Sequence, residues 1–196
     1  MPLRTGAPVP PSVADAVVLD ATGASVRVGT LWARSARLLV LLRHFGCVGC
    51  SRQVTELAPH VGVLARARVR TALVGNGSPA QLAAFLERHA LTGDAVDAFT
   101  DPSLALYAAV GLRRSVWSTV GPRGLLDMAR ALGAGHPHRS VEGDATQQGG
   151  TLLVDTGGIV RLVHVNRSLG DHASVPELLD AALRLEIESS DAAARV

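Results

Sequence analysis

The chain has 196 residues, 47% of them hydrophobic, and a net charge of +2. That suits one well-cored domain, excludes a mostly disordered protein, and gives no electrostatic footing to nucleic acid or an anionic membrane as partner. Every Lys-or-Arg position is arginine, which excludes Schiff-base chemistry, pyridoxal phosphate anchoring and a phosphate-loop lysine; with aromatic residues at 3%, base-stacking surfaces are disfavoured too.

Residues 1–14, rich in proline, read as a flexible extended arm ahead of one domain over 15–196. The arm holds no apolar run of signal-peptide length, and nowhere do about 18 apolar residues follow one another, which points to a cytoplasmic protein. Ala16–Leu19 and Ser25–Val28 flank Asp20-Ala21-Thr22-Gly23, a hairpin signal. Leu38–Leu42 is a run short enough to be a strand buried on both faces. A polar turn, Arg43-His44-Phe45-Gly46, leads to Cys47-Val48-Gly49-Cys50. A helical stripe follows: Val54, Leu57, Ala58, Val61, Leu64 and Ala65.

Val69–Val74 is a second apolar strand, and Ser78 caps a helix through Leu82, Phe85 and Leu86. A short strand is expected at Ala95–Phe99. Asp101-Pro102 then starts a helix with Leu104, Tyr107 and Val110 inward. Leu125, Leu126, Met128, Ala129 and Leu132 suggest a further helix, followed by a polar loop, Ala134–Gly149, read as a lid or part of a substrate pocket. Thr151–Val154 and Ile159–Val165 form an antiparallel hairpin. Ser174 with Glu177 makes a capping box for the last helix, whose buried stripe is Leu178, Leu179, Ala182 and Leu183. A strand–helix–strand unit followed by a strand–strand–helix unit is the thioredoxin arrangement, an α/β fold with the cysteines at the exposed edge of the sheet.

The only two cysteines therefore stand where a strand ends and a helix begins. The unpaired N–H groups and the positive end of the helix dipole stabilise a thiolate there, so ionisation falls below the ordinary thiol value of about 8.5. Arg43, His44 and Arg52 add to the effect. The two-residue spacer lets the sulfurs close a disulfide across one helical turn. In a reducing compartment such a pair is catalytic or metal-binding rather than a staple. It is half of a tetrahedral zinc site, and His136 and His138, around Pro137 in a polar loop, read more simply as surface. The expected site is thus a dithiol without metal or organic cofactor, and it requires a sulfur that solvent can reach.

RHFGCVGCSRQVTEL resembles the active-site segment of the peroxiredoxin-like 2 group, of the alkyl hydroperoxide reductase and thiol-specific antioxidant type. DPSLALYAAVGLRRS, QQGGTLLVDTGGIVRLVHV and SLGDHASVPELLDAAL resemble its later segments in the same order. The resemblance implies a thioredoxin-like fold with a peroxiredoxin-type N-terminal hairpin and helical insertion. It also implies an oxidoreductase that reduces the O–O bond of a hydroperoxide or endoperoxide. A thioredoxin-type or low-molecular-weight thiol would be the reductant, and pairing into a homodimer is expected.

Two positions depart from the pattern. Ordinary peroxiredoxins place threonine or serine three residues before the peroxidatic cysteine, and Cys47 fills that slot, which makes Cys50 one candidate for the attacking thiol. Thioredoxins use the first cysteine, and exposure at the helix start tips the preference to Cys47. The strand entering the site begins Gly149-Gly150-Thr151 where peroxiredoxins resemble arginine-glycine and thioredoxins carry a cis-proline. Glycine permits close backbone approach to the sulfurs but supplies no charge. Arg113, Arg114 or Arg43, or the amides of Gln147 and Gln148, are candidates to compensate. His172, in Gly170-Asp171-His172, is a further candidate, against a plain turn in which Asp171 bonds local amides. His164 reads as the solvent-side member of its strand, and Trp117 and Phe45 as packing. The competing function is a thioredoxin-like disulfide oxidoreductase acting on a disulfide substrate without touching peroxide.

Overall fold

The computed structural model describes residues 3–91, 96–114 and 143–194. The helix expected at Leu125–Leu132, the loop 134–142, Trp117, His136 and His138 lie outside the described residues. The strands among the described residues are β1 (Val17–Leu19), β2 (Ser25–Arg27), β3 (Ala36–Leu41), β4 (Val69–Gly75), β5 (Val96–Thr100), β6 (Gly150–Val154) and β7 (Val160–Val165). They form one sheet in the order β2-β1-β5-β4-β3-β6-β7. β3, β4 and β5 run parallel, while β6 lies antiparallel to β3 and β7 to β6.

All six residues of β3 are buried, because alternate side chains of its leucine- and valine-rich run serve two cores. Leu38, Val40 and Leu42 face the layer of α2 (Val48–Leu57), α3 (Val61–Arg66), α4 (Pro79–Arg88) and α6 (Val175–Ala194). Leu39 and Leu41 face Trp32 and the buried side of α5 (Ala105–Val110), beside Val13 of α1 (Pro11–Ala14). The result is a thioredoxin-like fold with its central strand aimed at the cysteines.

The β1–β2 hairpin turns on Asp20, whose Oδ1 accepts from the N–H groups of Thr22 (2.8 Å) and Ala24 (2.9 Å). Ser78 and Gln81 complete a capping box on α4. The expected β6–β7 hairpin and the start of α6 are also present, the Ser174 hydroxyl accepting from the Glu177 N–H at 3.4 Å.

Four expectations need correction. The helix after the cysteines does not run on to Ala65: a single 3₁₀ turn, Ala58–His60, separates α2 from α3. Pro59 has no N–H to donate and its ring crowds the preceding turn, so Ala65 swings out to solvent while Leu64 stays buried. α5 starts at Ala105, not beside Pro102, because Leu104 takes a left-handed conformation (φ 61°). The Asp101 carboxylate instead accepts the N–H of Leu106 at 2.8 Å, and Leu106 joins Tyr107 and Val110 on the inner side. On α6 the buried stripe is Leu178, Ala182 and Leu185, whereas Leu183 is 52% exposed; positions i, i+4 and i+7 share a face and i+5 does not. The proline-rich start is tied down: Gly6 and Val9 donate to the carbonyls of Val160 and Gly158, both at 2.8 Å. Val13 of α1 is fully buried.

Candidate active site

β3 ends one residue before Leu42, whose N–H still bonds the Val74 carbonyl (2.7 Å), and the chain then turns through Arg43–Gly46. Cys47 is the extended residue that caps α2 (φ −73°, ψ 122°), and Cys50 lies in the first helical turn. The strand-end, helix-start placement read from the sequence is therefore observed. Both cysteines are free thiols.

The expected exposure is not observed. Cys47 is 2% and Cys50 4% exposed, and the whole run from Ala36 to Cys50 is buried, turn included. Leu169, from the segment after β7, belongs to the same buried cluster as both cysteines and sets its main chain against Gly49 in the first turn of α2. Phe45 meanwhile packs into the space left by Gly75 and against Phe85, ring centroids 5.2 Å apart.

The two thiols are electrostatically unequal. The thiol of Cys50 points its proton at Cys47 and, with the N–H groups of Cys50 and Gly49 and the Arg43 guanidinium, brings the Cys47 thiol down to about 7 against the opposing effect of burial. Cys50 is pushed the other way, because it gives that hydrogen bond, is buried, and faces the Cys47 negative charge. Cys50 Sγ in turn accepts the main-chain N–H of Arg43 at 3.2 Å. Near neutral pH Cys47 is therefore partly ionised, while Cys50 keeps its proton.

Arg43 is the cation of this site. Its side chain is 1% exposed and its Nη2 donates to the Ala145 carbonyl at 3.0 Å. Gly149 lies beside it: a Cβ there would stand 3.5 Å from Arg43 Cγ and 2.7 Å from the Leu41 carbonyl oxygen. For Gly150 the nearest atoms are the His164 carbonyl oxygen (2.8 Å) and Leu112 Cδ2 (3.0 Å). The two glycines thus make room for the Leu41 carbonyl of β3, the His164 carbonyl of β7, Leu112 and the Arg43 stem. Thr151 is buried opposite Val40 in the register of β6 on β3. His44 is buried, and its carbonyl accepts the Cys47 N–H at 3.2 Å.

Other candidates are occupied elsewhere. Arg113 and Arg114 are exposed; Arg114 pairs with Asp144, and the Arg113 main chain bonds Gln148. The Gln147 amide donates to the carbonyls of Leu112 (3.3 Å) and Gln148 (3.2 Å), and the Gln148 amide oxygen accepts the Arg113 N–H at 3.0 Å. His172 Nε2 sits 3.0 Å from Glu56 on the outer side of α2. Asp171 accepts the Arg167 N–H at 2.8 Å, the local turn bond expected of it, and also meets His164 Nε2 at 3.2 Å, so that ring is half-buried and paired, not free in solvent.

Asn76 was not singled out, and Tyr107 was read only as an inward-facing residue. Asn76, the residue after β4, is buried and donates to the Arg43 carbonyl of the turn at 2.6 Å. Tyr107, the single tyrosine, is fully buried and its hydroxyl lies 2.6 Å from the Leu42 carbonyl oxygen and 2.8 Å from that of Val74. Each left a signal: an asparagine between two glycines at a strand end, and one phenol on an otherwise aliphatic helix face. Among the described residues no group of three His, Cys, Asp or Glu side chains is placed to hold a metal ion, and no helix is long and apolar enough to cross a membrane.

A central parallel strand feeding a Cys-x-x-Cys helix, with an antiparallel hairpin at each edge, defines a thioredoxin-like fold of the peroxiredoxin type. The crystal structure of the peroxidoxin BcpB from Mycobacterium tuberculosis shares that fold: TM-score 0.65 at 16% identity, covering 94% of this chain and 97% of that one. The chain belongs to the AhpC/TSA antioxidant enzyme family, whose profile matches residues 56–168, beginning just after the cysteines. Mouse Peroxiredoxin-like 2C is 30% identical over 186 residues, 89% of this chain and 80% of that protein. Human Prostamide/prostaglandin F synthase is 32% identical over 177 residues, 87% of each chain.

Proposed function

We propose that this protein is a thiol-dependent reductase of a peroxide O–O bond, in a hydroperoxide or an endoperoxide, and that Cys47 and Cys50 cycle between dithiol and disulfide. The unequal ionisation of the two sulfurs carries this reading: one is ready to attack, the other keeps the proton that the reaction needs. The Cys47 thiolate attacks one oxygen, the O–O bond breaks, and the departing alkoxide takes a proton to become an alcohol, leaving a sulfenic acid on Cys47. Cys50, deprotonated as it attacks, displaces hydroxide from that sulfur; proton and hydroxide leave as water and the Cys47–Cys50 disulfide forms. With an endoperoxide the first product is a sulfenate ester, and the same displacement releases a diol. A thioredoxin-type or low-molecular-weight thiol returns two electrons and two protons.

Arg43 stands in for the arginine absent from Gly149-Gly150, its charge favouring the Cys47 thiolate. Because neither sulfur faces solvent, the cycle begins with displacement of the Leu169 segment from α2. The relatives' names, a peroxiredoxin-like protein and a prostaglandin F synthase, support a small-molecule substrate. A reducing compartment, the cytoplasm, keeps the dithiol reduced between turnovers. No nucleic acid or membrane takes part, and a homodimer is the expected assembly.

The test is peroxide consumption with a dithiol reductant, run on the wild type, Cys47→Ser and Cys50→Ser, with mass analysis of the oxidised protein. Wild type is expected to consume peroxide and lose two hydrogens as the internal disulfide forms. Cys47→Ser should be inactive, and Cys50→Ser, given one equivalent of peroxide without reductant, should accumulate a sulfenic acid in place of the internal disulfide. No peroxide loss and no disulfide would reject the reading.

The second reading, a disulfide oxidoreductase, is favoured by the thioredoxin-like polarity of the pair, with the first cysteine the more acidic. Reduction of a peptide disulfide without any peroxide consumption would establish it instead.

A further inference from the structure

The carboxamide of Asn76, 5% exposed, joins three main-chain groups from two distant parts of the chain. Its Nδ2 donates to the Arg43 carbonyl at 2.6 Å and to the Asp144 carbonyl at 3.3 Å. Its Oδ1 accepts the Asp144 N–H at 2.9 Å. Gly143 comes so close, at φ +115°, that a Cβ on it would overlap Asn76 Oδ1. The Asp144 carboxylate accepts from the Thr146 N–H (2.9 Å) and hydroxyl (2.6 Å) and pairs with Arg114, which rigidifies that short segment. From it the Ala145 carbonyl reaches back to the Arg43 guanidinium at 3.0 Å.

Arg43 is therefore gripped at both ends, at its main chain by Asn76 and at its side chain by the segment that Asn76 docks. It is also the residue that meets both sulfurs, through its N–H to Cys50 Sγ and its guanidinium charge near Cys47. The geometry points to Asn76 as a positioning residue for the dithiol, which holds Arg43 and residues 143–146 as one unit and thereby sets the reactivity of Cys47. This deepens the dithiol reading above and rests on it. Only a carboxamide fits: the position needs donors toward two carbonyls and an acceptor toward an N–H. Asn76→Asp, nearly isosteric, would turn a second carboxylate oxygen toward those two carbonyls and add a negative charge beside Arg43.

The experiment is the pH dependence of Cys47 alkylation by iodoacetamide in the reduced full chain, for the wild type, Asn76→Asp and Asn76→Ala. Circular dichroism reports folding. The midpoint is expected to rise by about one pH unit in either variant, roughly a tenfold loss of thiolate below the midpoint. Leu185→Ala, a core truncation on α6, serves as the control for mere destabilisation and should leave the midpoint in place. Should the Asn76 variants not fold, Gly143→Ala disturbs the same docking from the opposite side and should move the midpoint upward as well. A folded Asn76→Asp or Gly143→Ala protein with an unmoved midpoint overturns the inference. The titration uses no peroxide, so a protein that shifts as expected yet reduces no peroxide keeps this inference and rejects the proposed activity alone.

Discussion

The main chain of Leu169 lies directly against Gly49, so a side chain on Gly49 would run into the Leu169 carbonyl oxygen. That contact joins the loop after β7 to the helical turn between the two cysteines, and it is one reason neither sulfur meets solvent. Gly49→Ala should therefore act on stability and access together. Overpacking of this kind costs about 1–3 kcal/mol, measurable as a lower midpoint in urea. The displaced loop should also speed alkylation of Cys47 at fixed pH. Unchanged stability and an unchanged rate would show that the loop does not cover the site in solution.

The ionisation of Cys47 is open to direct measurement. Alkylation of the reduced protein should be slow below and fast above a midpoint near 7, since only the thiolate reacts and its proton is lost there. Cys50→Ala removes the hydrogen bond that contributes most to this shift, so the midpoint should climb toward the ordinary thiol value of about 8.5. A midpoint that stays near 7 in Cys50→Ala would assign the effect to the helix start and Arg43 alone.

Tyr107 fixes the strand end from beneath. Its hydroxyl serves the carbonyls of Leu42 and Val74 on adjacent parallel strands, next to the residue whose N–H reaches Cys50. Tyr107→Phe leaves buried acceptors with one partner fewer at a cost of about 1–3 kcal/mol. Chemical unfolding checks the figure, and a loss below about 0.3 kcal/mol would mean that water replaces the phenol.

On α6, Leu185 and Leu183 offer a paired comparison two residues apart. Leu185→Ala empties a core position and should cost about 2 kcal/mol or more, whereas Leu183→Ala, at a site 52% exposed, should stay within about 0.5 kcal/mol. Equal losses would mean that another surface covers Leu183.

Much of this protein is legible from local chemistry. The leucine–valine run of β3, the Asp20 turn, the Ser78 cap and the β6–β7 hairpin each follow from neighbours within a few residues, and all are observed. So does the position of Cys47 and Cys50 at a strand-to-helix junction. Errors arose where one residue outweighed a pattern: Pro59 broke a regular stripe, and the left-handed Leu104 delayed a helix.

The amino-acid order alone determined the strand, the dithiol spacing and the helix that follows it, because hydrophobic period and turn chemistry act over short separations. Which arginine serves the thiols, why Asn76 matters and why both sulfurs are covered were decided only by folding. Asn76 meets Asp144 across 68 positions, Arg43 meets Ala145 across 102, and Leu169 closes on Gly49 from beyond β7. Such contacts arise from the sheet order, which brings distant chain segments to one end of β3, and no local pattern encodes them.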